Sequence, residues 1–100
     1  MPTEFQITIP GKPQDCLMKI AKFAYENNRD CITEGKVSLQ IDMVFAKRGR
    51  SNILSIARNI EQNLRGVTCG LYRNESQIAT YIVRSWEGSP CVMITLRPIE

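Results

Sequence analysis

The stretch VSLQIDMVFAKRGRSNILSIARNI, residues 37–60, changes its hydrophobic period midway, and that change sets the architecture. Val37, Leu39, Ile41, Met43 and Phe45 recur at every second position, with Ser38, Gln40 and Asp42 between them. This is the pattern of a strand with one face on a core. Ile53, Ile56, Ala57, Ile60 and Leu64 then recur at helical spacing, an amphipathic helix with one buried stripe. Ser51 or Asn52 can cap its start, since a short polar side chain accepts an otherwise orphaned first-turn amide, and Gly66 fits the residue after its end. Arg58, Glu61, Gln62 and Arg65 are read as the outward face of this helix. Between strand and helix stand Lys47-Arg48-Gly49-Arg50.

The same alternation occurs upstream. Phe5, Ile7 and Ile9 form a short strand that Pro10-Gly11 ends. Leu17, Ile20, Ala21 and Ala24 follow at helical spacing, predicting a helix of about four turns that starts near Pro13 and stops near Asn27-Asn28. Downstream, VTCGLY (67–72) reads as a short, irregular strand, IATYIVRSW (78–86) as a full one, and Glu87-Gly88 turns the chain into a last strand from Cys91 to Leu96. The expected fold is α+β over a single domain, 1–100. Its order is β-α-β-α-(β)-β-β, with two helices on one face of a mixed sheet of four or five strands.

Composition narrows the chemistry. One hundred residues, 43% apolar and 23% charged, suit a globular domain that buries roughly 65% of its unfolded surface. Cys16, Cys31, Cys69 and Cys91 contain no CxxC pair, and no histidine is present, so a Cys/His zinc site is not expected. The absence of histidine also removes Ser/His and Cys/His nucleophile pairs and leaves carboxylates for acid–base work. With no leader-like segment or membrane-length apolar run, the expectation is a cytoplasmic protein with reduced thiols, Cys16 and Cys91 serving as packing. The net charge of +3 permits nucleic-acid binding without requiring it.

Two polar clusters carry candidate chemistry. Lys47, Arg48 and Arg50 before a helix start could build a phosphate-binding edge; the competing reading is a solvated turn. In YRNESQI (72–78), Glu75 is a carboxylate at a strand entrance, and Asp42 is a second carboxylate on the polar face of the central strand. A magnesium site needs converging oxygen ligands, and only these two carboxylates are candidates. Asp42 is also read as a solvated or arginine-paired residue. Tyr25, Tyr72, Tyr81 and Trp86 are candidate stacking platforms for bases, with sheet packing as the alternative for Tyr81 and Trp86.

FQITIPGKP (5–13), SNILSIARNIEQNLRGV (51–67) and LYRNESQI (71–78) together resemble the RusA-type Holliday-junction resolvases, small dimeric magnesium endonucleases that cut four-way DNA junctions. The second segment is similar to the helix after the family's Asp-x-Asp-Asn motif, and the third to its Asp-Asp-x-Gln-Ile segment. Gly49 and Ser51 stand where the resemblance implies two aspartates, Asn52 keeps the asparagine, and Ser55 stands where it implies a lysine. Asn74-Glu75 replaces the acidic pair, leaving Glu75 as the one carboxylate retained at an implied catalytic position.

The resemblance therefore implies a divergent, homodimeric RusA-like protein that binds branched or duplex DNA without efficient cleavage. The expected contacts are Lys47, Arg48, Arg50, Asn52 and Arg73, with no membrane partner and no resident cofactor. One alternative is a magnesium nuclease with a site rebuilt from Asp42 and Glu75. The other is a non-enzymatic protein-interaction module.

Overall fold

The structure is a computed structural model that describes residues 4–47, 52–66 and 69–99. Four strands and two α-helices follow one another as β1 (Phe5–Pro10), α1 (Leu17–Glu26), β2 (Lys36–Phe45), α2 (Ile53–Leu64), β3 (Ile78–Glu87) and β4 (Cys91–Ile99). Short 3-10 turns occupy Pro13–Asp15, Asn28–Asp30 and Glu75–Gln77. The class is α+β, as expected. The short strand expected at 67–72 reduces, among the described residues, to bridges from Tyr72 to Ile32 and Arg65, with Val67 and Thr68 outside those residues.

The sheet order is β1-β4-β2-β3. β4 runs antiparallel to both β1 and β2, and β3 runs parallel to β2, which is what a strand-helix-strand crossover through α2 delivers. β3 and β4, adjacent in sequence, are thus separated in the sheet by β2. The Gly88-Ser89-Pro90 link must cross the end of β2, two strand spacings or about 10 Å, within the reach of three residues joining two strand ends. The Gly88 amide donates to the Phe45 carbonyl at 2.8 Å, and a Cβ on Gly88 would lie 3.2 Å from Val44 Cγ1. Glycine fits because the link passes so low over the strand end.

One core joins the helices to one face of the sheet. Val37, Leu39, Ile41, Met43 and Phe45 of β2 are buried with Ile20 and Ala24 of α1, Ala57, Ile60 and Leu64 of α2, and Val92, Ile94 and Leu96 of β4. Each fully buried Leu, Ile or Val contributes roughly 1.5–3 kcal/mol, which is why the two-residue and 3.6-residue periods decide the fold.

The first helix departs from expectation. Pro13 is buried and opens a separate 3-10 turn, so α1 proper begins at Leu17 and is 10 residues long. The Asn27 side chain closes α1 by donating to the Phe23 carbonyl at 2.8 Å. At α2 the cap is Asn52, whose Oδ1 accepts from the Ser55 amide at 3.0 Å.

Candidate nucleic-acid interface and the cleft beside helix α2

The basic segment leaves the sheet at the C-terminal end of β2. Lys47 is exposed there; Arg48, Gly49, Arg50 and Ser51 lie outside the described residues. The same end collects the turn after β1, because the Gly11 amide donates to the Pro90 carbonyl at 3.0 Å. Lys12 and Lys47 consequently line one shallow hollow of about 130 Å³, with Pro13, Gln14, Phe45 and Pro90. Asn52, the helix cap, follows this segment directly. Lys12 is a contributor the sequence reading missed; its only trace is a lysine beside the Pro10-Gly11 turn, and sequence does not say which turns meet. Asp15 and Glu87 are acidic residues near the same end.

Arg73 is placed elsewhere. It precedes the Glu75–Gln77 turn, and Ile78 pairs with Val37 at the start of β2, whereas Lys47 follows its end. The ten residues of β2 separate these ends by about 33 Å. Arg73 is therefore not brought together with Lys47 and Asn52.

The Tyr72–Ile78 segment is a tightly bonded turn. Gln77 is buried, and its Oε1 accepts from the amides of Arg73 (2.8 Å) and Asn74 (3.2 Å). Its Nε2 donates to the carbonyls of Ile32 and Gly35, each at 3.1 Å, tying the start of β3 to the loop before β2. Asn74 Oδ1 accepts from the Ser76 amide at 3.1 Å and from its hydroxyl. Glu75 stays exposed and lines a half-open cleft of about 330 Å³ with Leu54, Arg58, Glu61, Ile78 and Tyr81.

Within this cleft the outward reading of Glu61 is corrected: it is 5% exposed. Tyr72, fully buried, donates its hydroxyl to Glu61 Oε2 at 2.5 Å. Arg65 Nε lies 2.8 Å from the same oxygen, an ion pair by proximity whose N–H is not aimed along a hydrogen bond. Burial first, then the Glu61 carboxylate, pushes the Tyr72 phenol far above its ordinary range, so it is a permanent donor. The sequence signal was available, since Glu61 stands four residues after Ala57 and four before Arg65. Tyr72 accordingly cannot stack on a base, whereas Tyr25, Tyr81 and Trp86 are exposed.

Asp42 occupies the opposite side of the sheet, out of phase with the core-facing residues of β2, and is 7% exposed. Arg84 Nε donates to its Oδ1 at 2.7 Å, Arg84 Nη2 to its Oδ2 at 3.3 Å, and Gln40 Nε2 to its Oδ2 at 2.8 Å. The Arg84 hydrogen bonds lower the Asp42 pKa below the usual carboxylate value, against the opposing effect of burial. Arg84 also lies 5.1 Å from the Trp86 ring centre, a cation–π contact on an exposed sheet face. Asp42 and Glu75 thus fall on different faces of the sheet.

Among the described residues, no group of three or more Cys, Asp or Glu side chains comes together in a way that could hold a metal, and the separated Asp42 and Glu75 do not fit a shared magnesium centre. All four cysteines are free thiols, and no described helix is long and apolar enough to cross a membrane. Compared with models of known protein families and with curated proteins, the chain matches none.

Proposed function

We propose that the chain binds the phosphate backbone of branched or duplex DNA at the end of the sheet where Lys12 meets Lys47, without efficient cleavage. The observation that carries this reading is the convergence of those two lysines around one hollow, next to the segment that bears Arg48 and Arg50 and ends at the Asn52 cap. Cations from two loops give a wider field than a single turn, and the start of α2 adds its unpaired amides and partial positive charge. Separation of Asp42 from Glu75 supports binding over a rebuilt cutting site.

The test is fluorescence anisotropy with a labelled four-way junction and a matched duplex across a salt series, with and without magnesium, products being read on the same samples. Affinity falls with salt at a log-log slope near −0.9 per phosphate neutralised on duplex. Lys12→Ala with Lys47→Ala, and separately Arg48→Ala with Arg50→Ala, each weaken binding and flatten that slope by about one per cation removed. No binding at low salt, or variants with the parental slope, refutes the role; magnesium-dependent products abolished by Glu75→Gln would favour the nuclease alternative.

A second reading, a protein-interaction module, is favoured by a different observation: the exposed Tyr81, Ile82 and Trp86 on one edge strand.

A further inference from the structure

β3 is an edge strand with unusual exposure. It spans 10 residues and hydrogen-bonds to a single neighbour, β2. Among the described residues, no backbone hydrogen bond from another segment reaches its outer side. Alternate residues therefore present about five amides and five carbonyls outward. Proteins usually blunt such edges with proline, lysine, a bulge or a short strand. β3 contains no proline or lysine, its charged residues are Arg84, held by Asp42, and Glu87 at its end, and its one register irregularity sits at its start, opposite Val37/Ser38. The other edge, β1, is six residues long and ends in Pro10.

Several exposed apolar side chains lie along the same edge, with Met18, Tyr25 and Ile99 exposed elsewhere. Tyr81 is 46%, Ile82 38% and Trp86 42% exposed, and Leu54 of α2 stands exposed beside Tyr81 in the cleft. One large apolar side chain at the surface is ordinary; several along one unpaired strand form a template for another strand.

We propose that β3 pairs antiparallel with β3 of a second copy of this chain about a two-fold axis through Ile82, joining two sheets into one of eight strands. The strand's own sequence selects this occupant and register. Residues directly opposite in an antiparallel pair share a face, so a two-fold axis normal to the sheet passes through a residue rather than between two. An axis at Arg84 sets like charges against each other, and an axis at Val83 sets Ile82 against Arg84. An axis at Ile82 sets Ile82 against Ile82 on the open face, Tyr81 against Val83 on the helix side, and Thr80 against Arg84. Apolar groups then meet each other, the two guanidiniums stay apart with each held by its own Asp42, and residues 80–84 pair clear of the irregularity at Ala79.

This inference does not rest on the DNA reading, and its test contains no nucleic acid. Sedimentation of the full chain up to about 100 µM gives a species of twice 11.4 kDa. Ile82→Glu and Ile82→Lys, each on the exposed face away from the core, weaken self-association about tenfold or more by setting like charges on the axis, while circular dichroism stays native. Mixing the two variants in equal amounts restores the dimer, because only this register sets position 82 against itself. A wild-type monomer throughout the range overturns the proposal and leaves the edge to an extended segment of some other protein. Variants that dimerise like the wild type, or a mixture that stays monomeric, overturn it as well.

Discussion

Tyr72→Phe removes one oxygen from a fully buried ring and leaves the carbon packing intact, so its cost is the hydrogen bond to Glu61. That bond is charge-assisted and buried, the class that contributes about 1.5–3 kcal/mol, and the carboxylate left behind remains 5% exposed. Arg65 compensates only in part, because its Nε–H is not directed at the oxygen 2.8 Å away. The expected loss is about 2 kcal/mol. For 100 residues the unfolding entropy is about 0.2 kcal/mol per kelvin, so the Tm falls by about 10 °C. Because the folded-state phenol pKa is raised, this contribution is present below the unfolded phenol value near pH 10 and declines as pH rises above it. Thermal melts followed by circular dichroism at pH 7, with Glu61→Gln and the double variant, complete a cycle whose coupling is about 1–2 kcal/mol. A Tm drop under about 3 °C, or additive single effects, would refute the account of Glu61 as a buried acceptor fixed by Tyr72.

Two further outcomes follow from the geometry. Gly70→Ala places a Cβ 2.2 Å from the Gly66 amide nitrogen and 2.3 Å from the Arg65 carbonyl carbon; backbone must move, and a loss of about 2–4 kcal/mol is expected in urea unfolding, a near-parental midpoint counting against that close approach. Asp42→Asn is less stable than wild type at pH 7, and the gap closes as pH falls through the depressed Asp42 pKa: the unfolded carboxyl takes up its proton first, near pH 4, so the pairing with Arg84 stabilises above that value and is lost below it. A gap that stays constant from pH 7 to pH 2 would show that the Arg84 pairing is not its source.

The alternating run in β2 and the helical stripe in α2 were legible because burial on one side imposes a period that needs no knowledge of neighbours. A cap at Ser51 or Asn52 was legible for a similar reason, being a short-range hydrogen-bond requirement that Asn52 meets, whereas Gly88 answers to Phe45 and Val44, distant in sequence. Pro13 misled: it is equally suited to a first α-helical turn and to the separate 3-10 turn it forms, and only its burial beside Cys16 separates the two.

Sequence alone determined the element types, the α+β class and the inventory of chemistry: no histidine, few carboxylates on interpretable positions, and a basic segment ahead of a capped helix. Tertiary structure decided what meets what. It inserted β2 between β3 and β4, which leaves β3 as a long open edge. It also set Lys12 beside Lys47, moved Arg73 to the far end, put Asp42 and Glu75 on different faces, and turned Glu61 inward onto Tyr72. Each of these depends on strand order and register, fixed by the shared burial of distant segments, and a local period carries no information about which distant segment a side chain will meet.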